Sequence, residues 1–202
     1  MKIVGVGAGP GMLTQEAIEA IRGAKRVYGS PRALALAQAH IHGESIVLEN
    51  YNMNLEDDAC ILSTGDPTLS GLGKKAPPGA KIIPGISSLQ LACARLNLEA
   101  AYVVVVTTHG EQPTRAKEML LEGIHLGRAL FVLADPKFDL ADICAYLDTL
   151  GYEGEVVILE DLAYKTERIS YGRIAAPPRR QSPLFCAVIN HLKQKRSAPT
   201  TR

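Results

Sequence analysis

The chain has 202 residues, 47% of them hydrophobic, and 22 basic against 21 acidic side chains give a formal charge of +1. This length accommodates one large domain or two small ones with real cores. The near-zero charge excludes strong non-specific attraction to nucleic acid, and with no Trp and only 5% aromatics there is little to build a stacking platform for single strands.

Lys2 to Val6 reads as a strand that enters the turn Gly7-Ala8-Gly9-Pro10-Gly11. Gln15 to Ala24 follows as a helix, with Thr14 as N-cap and Ala17, Ile18 and Ile21 as its apolar stripe. Arg26 to Tyr28 is a short strand ending at Gly29-Ser30-Pro31, and the Ala/Leu-rich stretch Arg32 to His40 is helical. Strands are expected at Ser45 to Leu48, at Asp58 to Leu62 before Thr64-Gly65-Asp66-Pro67, and at Ala80 to Ile83 before Pro84-Gly85. Ser88 to Leu96 returns as a helix. Near Glu99 the pattern restarts, which places a domain boundary close to residue 100 and gives an N-terminal domain of 1–99 and a C-terminal domain of 100–202. The valine run Tyr102 to Thr107 suits a strand covered on both faces. A helix at Arg115 to Leu121, a strand at Ala129 to Leu133 and a helix at Asp139 to Thr149 follow. Strands are then expected at Glu155 to Leu159, Glu167 to Tyr171 and Leu184 to Ile189, the last two antiparallel because no helix-length segment precedes Glu167. The polar tail from Lys193 is expected to fray. The strand–turn–helix alternation defines an α/β fold with a mainly parallel sheet.

Cys60, Cys93, Cys144 and Cys186 form no CxxC pair and stand among apolar neighbours. Buried free thiols in a reducing compartment are expected, with no protein-held metal. The run Ile3-Val4-Gly5-Val6-Gly7 is too short and too rich in glycine for a signal peptide, and no window reaches the ~18 apolar residues of a membrane span. No membrane association and a cytoplasmic location are therefore expected.

Three turns carry the functional signal. Glycines at 5, 7, 9 and 11 follow the first strand, where glycine permits positive φ and close approach of a ligand to the backbone. The dinucleotide fingerprint G-x-G-x-x-G fails from Gly5, which meets Pro10, and from Gly7, which meets Met12. No Walker-type phosphate loop occurs either. In the second turn, Ser63 to Gly71, Asp66 is either an acceptor for ribose hydroxyls or a ligand ammonium, or a turn and capping residue. In the third, Pro84-Gly85-Ile86-Ser87-Ser88, a serine caps the next helix, and the free N–H groups there suit a carboxylate. All three turns leave the carboxyl ends of expected strands, the edge where open α/β sheets bind ligands.

In order and spacing these turns resemble the tetrapyrrole methylase family. The likeness runs from Lys2 to about Asn190, and Pro84 to Leu96 with Thr107-Thr108-His109-Gly110 is similar to members that methylate a corrin precursor at carbon 5. The resemblance implies two α/β domains with S-adenosylmethionine held in the cleft between them, a homodimer, a corrin-precursor substrate, and a separate partner enzyme for decarboxylation and C15 methylation. It implies Pro10, Thr64, Gly65, Asp66, Leu69, Ser87 and Ser88 as cofactor contacts from the first domain, and Leu133 and Leu162 from the second. The chain departs from the family at Met12, where an Asp is common, and in the short segment from Gly71 to Pro84, broken by Pro77-Pro78-Gly79, where a helix must shrink to a turn.

Methyl transfer from a sulfonium asks the protein mainly to align the methyl with its acceptor and to exclude water, so no nucleophilic triad or carboxylate pair is required. His109 is either the acceptor of the proton lost from the ring or a structural histidine before Gly110. A substrate bearing acetates and propionates calls for basic partners, with Arg115 and Lys117 as the candidates and Lys74, Lys75 and Arg95 beside them, each set against a solvated surface role. Two other readings keep the fold: a methylase of a diphthamide precursor or of ribosomal RNA, and a cofactor-binding module without turnover.

Overall fold

The computed structural model describes residues 1–48, 55, 56, 58–108 and 113–194. The chain divides into two compact units, Met1–Leu91 with Leu162–Lys165, and Ala92–Asp161 with Thr166–Arg202. Each holds one five-stranded sheet.

The sheet of the first unit is built from β1 (Lys2–Gly5), β2 (Arg26–Gly29), β3 (Glu44–Val47), β4 (Cys60–Ser63) and β5 (Lys81–Ile83). All five run parallel in the order β3-β2-β4-β1-β5. The register sets Lys2 opposite both Cys60 and Lys81. Parallel strands need helical crossovers, so both faces are covered and β4 is buried at all four positions. Cys60 and Leu62 face one cluster with Ala17, Ile21 and Leu34, while Ile61 faces another with Tyr28 and Ala59. Helix α1 (Gln15–Arg22) starts where Thr14 Oγ1 accepts from Ala17 N at 3.1 Å, and it stops at Gly23, short of Ala24. Helix α2 (Pro31–Ala37) is capped by Ser30, with Pro31 in its first turn, and tightens into a 3₁₀ turn, Gln38–His40, where a continuous α-helix was expected. Helix α3 spans Ser88–Leu96.

The second unit contains β6 (Val103–Thr107), α4 (Pro113–His125), β7 (Ala129–Leu133), α5 (Leu140–Thr149), β8 (Tyr152–Glu160), β9 (Arg168–Arg173) and β10 (Phe185–Gln194). The order is β6-β7-β10-β8-β9. Only β6 and β7 pair in parallel; β9 is antiparallel to β8, and β10 is antiparallel to both β7 and β8, between which it lies. Phe131, Leu130, Val132, Ile143, Leu147, Val156 and Ile189 are fully buried.

In the second unit three further boundaries differ from expectation for visible reasons. Helix α4 continues past Leu121 because Gly123 packs on the sheet; a Cβ there would stand 2.4 Å from Leu130 Cδ2 and 3.2 Å from Val104 Cβ. Helix α5 begins with a capping box in which Asp139 and Asp142 bind each other's backbone N–H. Strand β10 does not fray at Lys193, which pairs with Glu153 after a register shift near His191, a residue at φ +52°. Among the described residues no helix is long and apolar enough to cross a membrane.

Candidate cofactor site

Strand order builds the site. β1 lies between β4 and β5, so the turns leaving the carboxyl ends of these three strands stand side by side. The first turn is bridged to the second by Gly7 N to Gly65 O at 3.1 Å and Gly65 N to Gly7 O at 2.8 Å, and to the third by Ala8 N to Ile86 O at 2.9 Å. Gly7 and Gly65 hold φ +81° and +68°, which L side chains adopt only at a cost. Gly5 and Gly85 allow the backbones to touch: a Cβ on Gly85 would stand 2.3 Å from Gly65 O and 2.8 Å from Gly5 C. The space beside Gly65 and Gly11 is open.

Asp66 ties the second turn to the third. Its Oδ1 accepts from Thr68 N at 2.7 Å and from Thr68 Oγ1, while Oδ2 accepts from Gly85 N at 3.1 Å. The first pair is an Asx-type turn. Leu69, half-buried, donates its N–H to Asp66 O at 3.2 Å, and Thr64 and Gly65 are half-buried beside it. Beyond Gly71 the chain makes a single 3₁₀ turn, Leu72–Lys75. Ser87 is the cap of α3: its Oγ and N both donate to Gln90 Oε1, at 2.9 and 2.8 Å, and its Oγ accepts from Gln90 N at 3.2 Å. Ser88, the first residue of α3, is half-buried. Pro10 is exposed in the first turn. Met12 folds back on Gly7, leaving its Cβ 2.3 Å from where a Gly7 Cβ would be.

Leu162 belongs to the first unit, not the second, and it is buried. Its carbonyl oxygen lies 2.5 Å from where a Cβ on Gly9 would stand, so only glycine admits this segment. On either side Asp161 and Ala163 hold positive φ, +49° and +67°, a strain of the kind that collects at functional sites. Pro10, Thr64, Gly65, Asp66, Leu69, Ser87, Ser88 and Leu162 thus all fall in one unit.

Leu133 ends β7 in the second unit, where its carbonyl accepts from Thr108 N at 3.0 Å. The buried Thr108 hydroxyl in turn accepts from Asp135 N at 2.5 Å. His109 lies outside the described residues. Arg115 is exposed on the first turn of α4. Lys117 sets its ammonium 4.7 Å from the Tyr146 ring centre and 5.7 Å from that of Phe138, a cation–π contact. Arg95 is held by Glu167 in a two-pronged pair at 2.6 and 3.2 Å.

Two features are absent from the sequence reading. Arg32 and Tyr164 meet beside the first turn: Arg32 Nε donates to Tyr164 Oη at 3.2 Å and its Nη2 donates to Ala8 O. The only sequence signal for Arg32 is its place after Gly29-Ser30-Pro31, a fourth turn at a strand's carboxyl end. Glu160 is a carboxylate 1% exposed, held by Arg168 and by the N–H groups of Gln181 and Ser182. Burial pushes its pKa up, but these donors outweigh burial and hold it below the ordinary 4.5. Its charge at the end of an apolar strand was the available signal.

The residues matched by the family model run from 2 to 177, and that family is the Tetrapyrrole (Corrin/Porphyrin) Methylases. The chain is 33% identical over 184 residues to a probable cobalt-precorrin-7 C(5)-methyltransferase of Methanocaldococcus jannaschii, covering 82% of this chain and 86% of that protein. A crystal structure of the cobalamin biosynthesis precorrin-6Y methylase from Archaeoglobus fulgidus matches with a TM-score of 0.70 and 31% identity, over 98% of each chain. At 19% identity, a uroporphyrin-III C-methyltransferase from Thermus thermophilus, solved with S-adenosylhomocysteine, shares the fold at a TM-score of 0.70, over 94% of this chain and 96% of that one. With the family model spanning most of its length and the three converging turns in place, the chain belongs to the tetrapyrrole (corrin/porphyrin) methylases.

Proposed function

We propose that this methylase transfers a methyl group from S-adenosylmethionine to carbon 5 of cobalt-precorrin-7, in cobalamin biosynthesis. The observation that carries the substrate is identity above 30%, over more than four-fifths of the chain, to two proteins that both bear precorrin methylase names. Support for the cofactor comes from the family and from the turns themselves. They present open space at Gly65 and Gly11, where the backbone leaves room for a nucleoside-linked sulfonium.

In this reading Thr64, Gly65, Asp66, Leu69, Ser87, Ser88, Pro10 and Leu162 line the cofactor, and Leu133, at the end of β7, is a further proposed contact. When bound, S-adenosylmethionine supplies an electrophilic methyl. The chain's own work is positional. Asp66 holds the second and third turns in register through Thr68 and Gly85. Its carboxylate would also favour a charged sulfonium over the neutral sulfide product once the cofactor is bound. The capped start of α3 keeps Ser87 fixed. His109 is the proposed acceptor for the proton displaced from the ring. The working unit is proposed to be a homodimer, with decarboxylation and C15 methylation left to a separate enzyme.

The test is a methyl-transfer assay across substrate classes with purified protein. The expected result is a mass gain of one methyl on a cobalt-precorrin, with RNA and protein unlabelled. Labelling of RNA or of a diphthamide precursor would reassign the substrate, and binding of the cofactor without turnover on any substrate would make the chain a binding module.

A further inference from the structure

We infer that Arg32 is a substrate-binding residue that receives a carboxylate of the tetrapyrrole at the rim of the first glycine turn, with Tyr164 orienting it. This rests on the proposed corrin substrate and adds a residue to its recognition.

Location comes first. Arg32 stands in the first turn of α2, just after the carboxyl end of β2, on the same sheet edge as the three turns. Its guanidinium reaches the first turn itself, donating to Ala8 O one residue from Gly9 and two from Pro10. Tyr164 belongs to the segment Leu162–Lys165 that Gly9 admits against the turn. All these groups lie in the first unit.

Charge comes second. Arg32 is half-buried and always cationic. Among the described residues its partners are a carbonyl, a phenol and an aromatic face, the Tyr164 ring centre at 5.8 Å; no carboxylate neutralises it. Arg26, Arg95 and Arg168, by contrast, each meet a glutamate. A guanidinium has five N–H donors, and the two bonds to Ala8 and Tyr164 leave its remaining fork for an anion. An uncompensated guanidinium, fixed in place at the cofactor edge, matches a substrate whose periphery is acetate and propionate. Two of the basic residues first expected in this role have other contacts: Arg95 meets Glu167, and Lys117 meets the Tyr146 and Phe138 rings.

The experiment measures corrin binding by absorbance, using a cobalt corrin with free carboxylates and the same corrin as its methyl ester, against wild type, Arg32→Gln, Arg32→Lys and Tyr164→Phe. Calorimetry with S-adenosylmethionine runs in parallel. Wild type is expected to prefer the acid over the ester, Arg32→Gln to weaken acid binding about tenfold and to abolish that preference, and Arg32→Lys to recover part of it. Tyr164→Phe is expected to cost two- to fourfold, and cofactor affinity to stay within twofold throughout. Equal acid binding by wild type and Arg32→Gln would overturn the inference alone. A parallel loss of cofactor binding in Arg32→Gln, unrelieved by Arg32→Lys, would overturn it by making Arg32 a structural clamp. Failure of wild type to bind either corrin while binding cofactor would overturn the corrin reading itself, and the inference with it.

Discussion

Asp66 and the glycines around it show how much a turn depends on single atoms. Removing the Asp66 carboxylate leaves three donors without their acceptor, Gly85 N and the N–H and hydroxyl of Thr68. Asp66→Ala is therefore expected to weaken S-adenosylmethionine binding more than tenfold by calorimetry, and unchanged affinity would mean that the turns do not position the cofactor. Gly65 and Gly85 separate two costs. Gly65→Ala meets nothing within 4 Å and bears only its φ of +68°, roughly 1–2 kcal/mol. Gly85→Ala collides with backbone on two sides, which cannot yield as a side chain can, and is expected to cost ~3 kcal/mol, the upper end for overpacking. Urea unfolding of the two variants compares them directly; equal losses would show the three turns to be looser than described. At this scale the turn chemistry is legible in the sequence, because Gly, Asp and Ser in turns carry their conformational preferences locally. It could not show that Asp66 spends both oxygens on protein donors, since Gly85 is 19 positions away.

At the scale of elements, Glu160 secures the end of β8 to β9 and to the loop before β10. Glu160→Ala leaves Arg168 and two backbone N–H groups without their acceptor. Because Arg168 is 35% exposed and can rehydrate, the cost is expected near the lower end for a buried pair, about 3 kcal/mol. The depressed pKa fixes the sign of the pH dependence: the unfolded chain binds this proton more readily, so the ionised carboxylate's contribution is complete above 4.5 and is lost as pH falls through the lower, folded value. The stability gap between wild type and Glu160→Gln should accordingly narrow below pH 4.5 in denaturant titrations, and a gap that widens there would refute the assignment. Most elements were legible as such from periodicity and capping residues, with α3 and β7 matching their expected limits. Some limits that differed were set by other elements, as where Gly123 of α4 meets Leu130 and Val104.

For the whole molecule, the four thiols report on packing in both units. All are free and buried, and burial pushes Cys60 up to about 11 and Cys144 and Cys186 up to about 12. A thiol reagent at pH 8 is expected to leave native protein almost unmodified and to titrate four groups in denaturant. Rapid reaction in the native state would reveal an open unit. The sequence by itself determined the α/β class, the alternation of elements, the antiparallel character of the last strands and the family. The first three follow from local propensity, hydrophobic period and turn chemistry, which each segment carries alone, and the family from the resemblance of the three turns in series to known methylases. Tertiary structure decided that β1 sits between β4 and β5, that β10 inserts between β7 and β8, and that Leu162–Lys165 returns to the first unit. Those properties depend on which strands pair across long sequence distances, and hydrogen bonds between distant backbones leave no periodic trace in either partner.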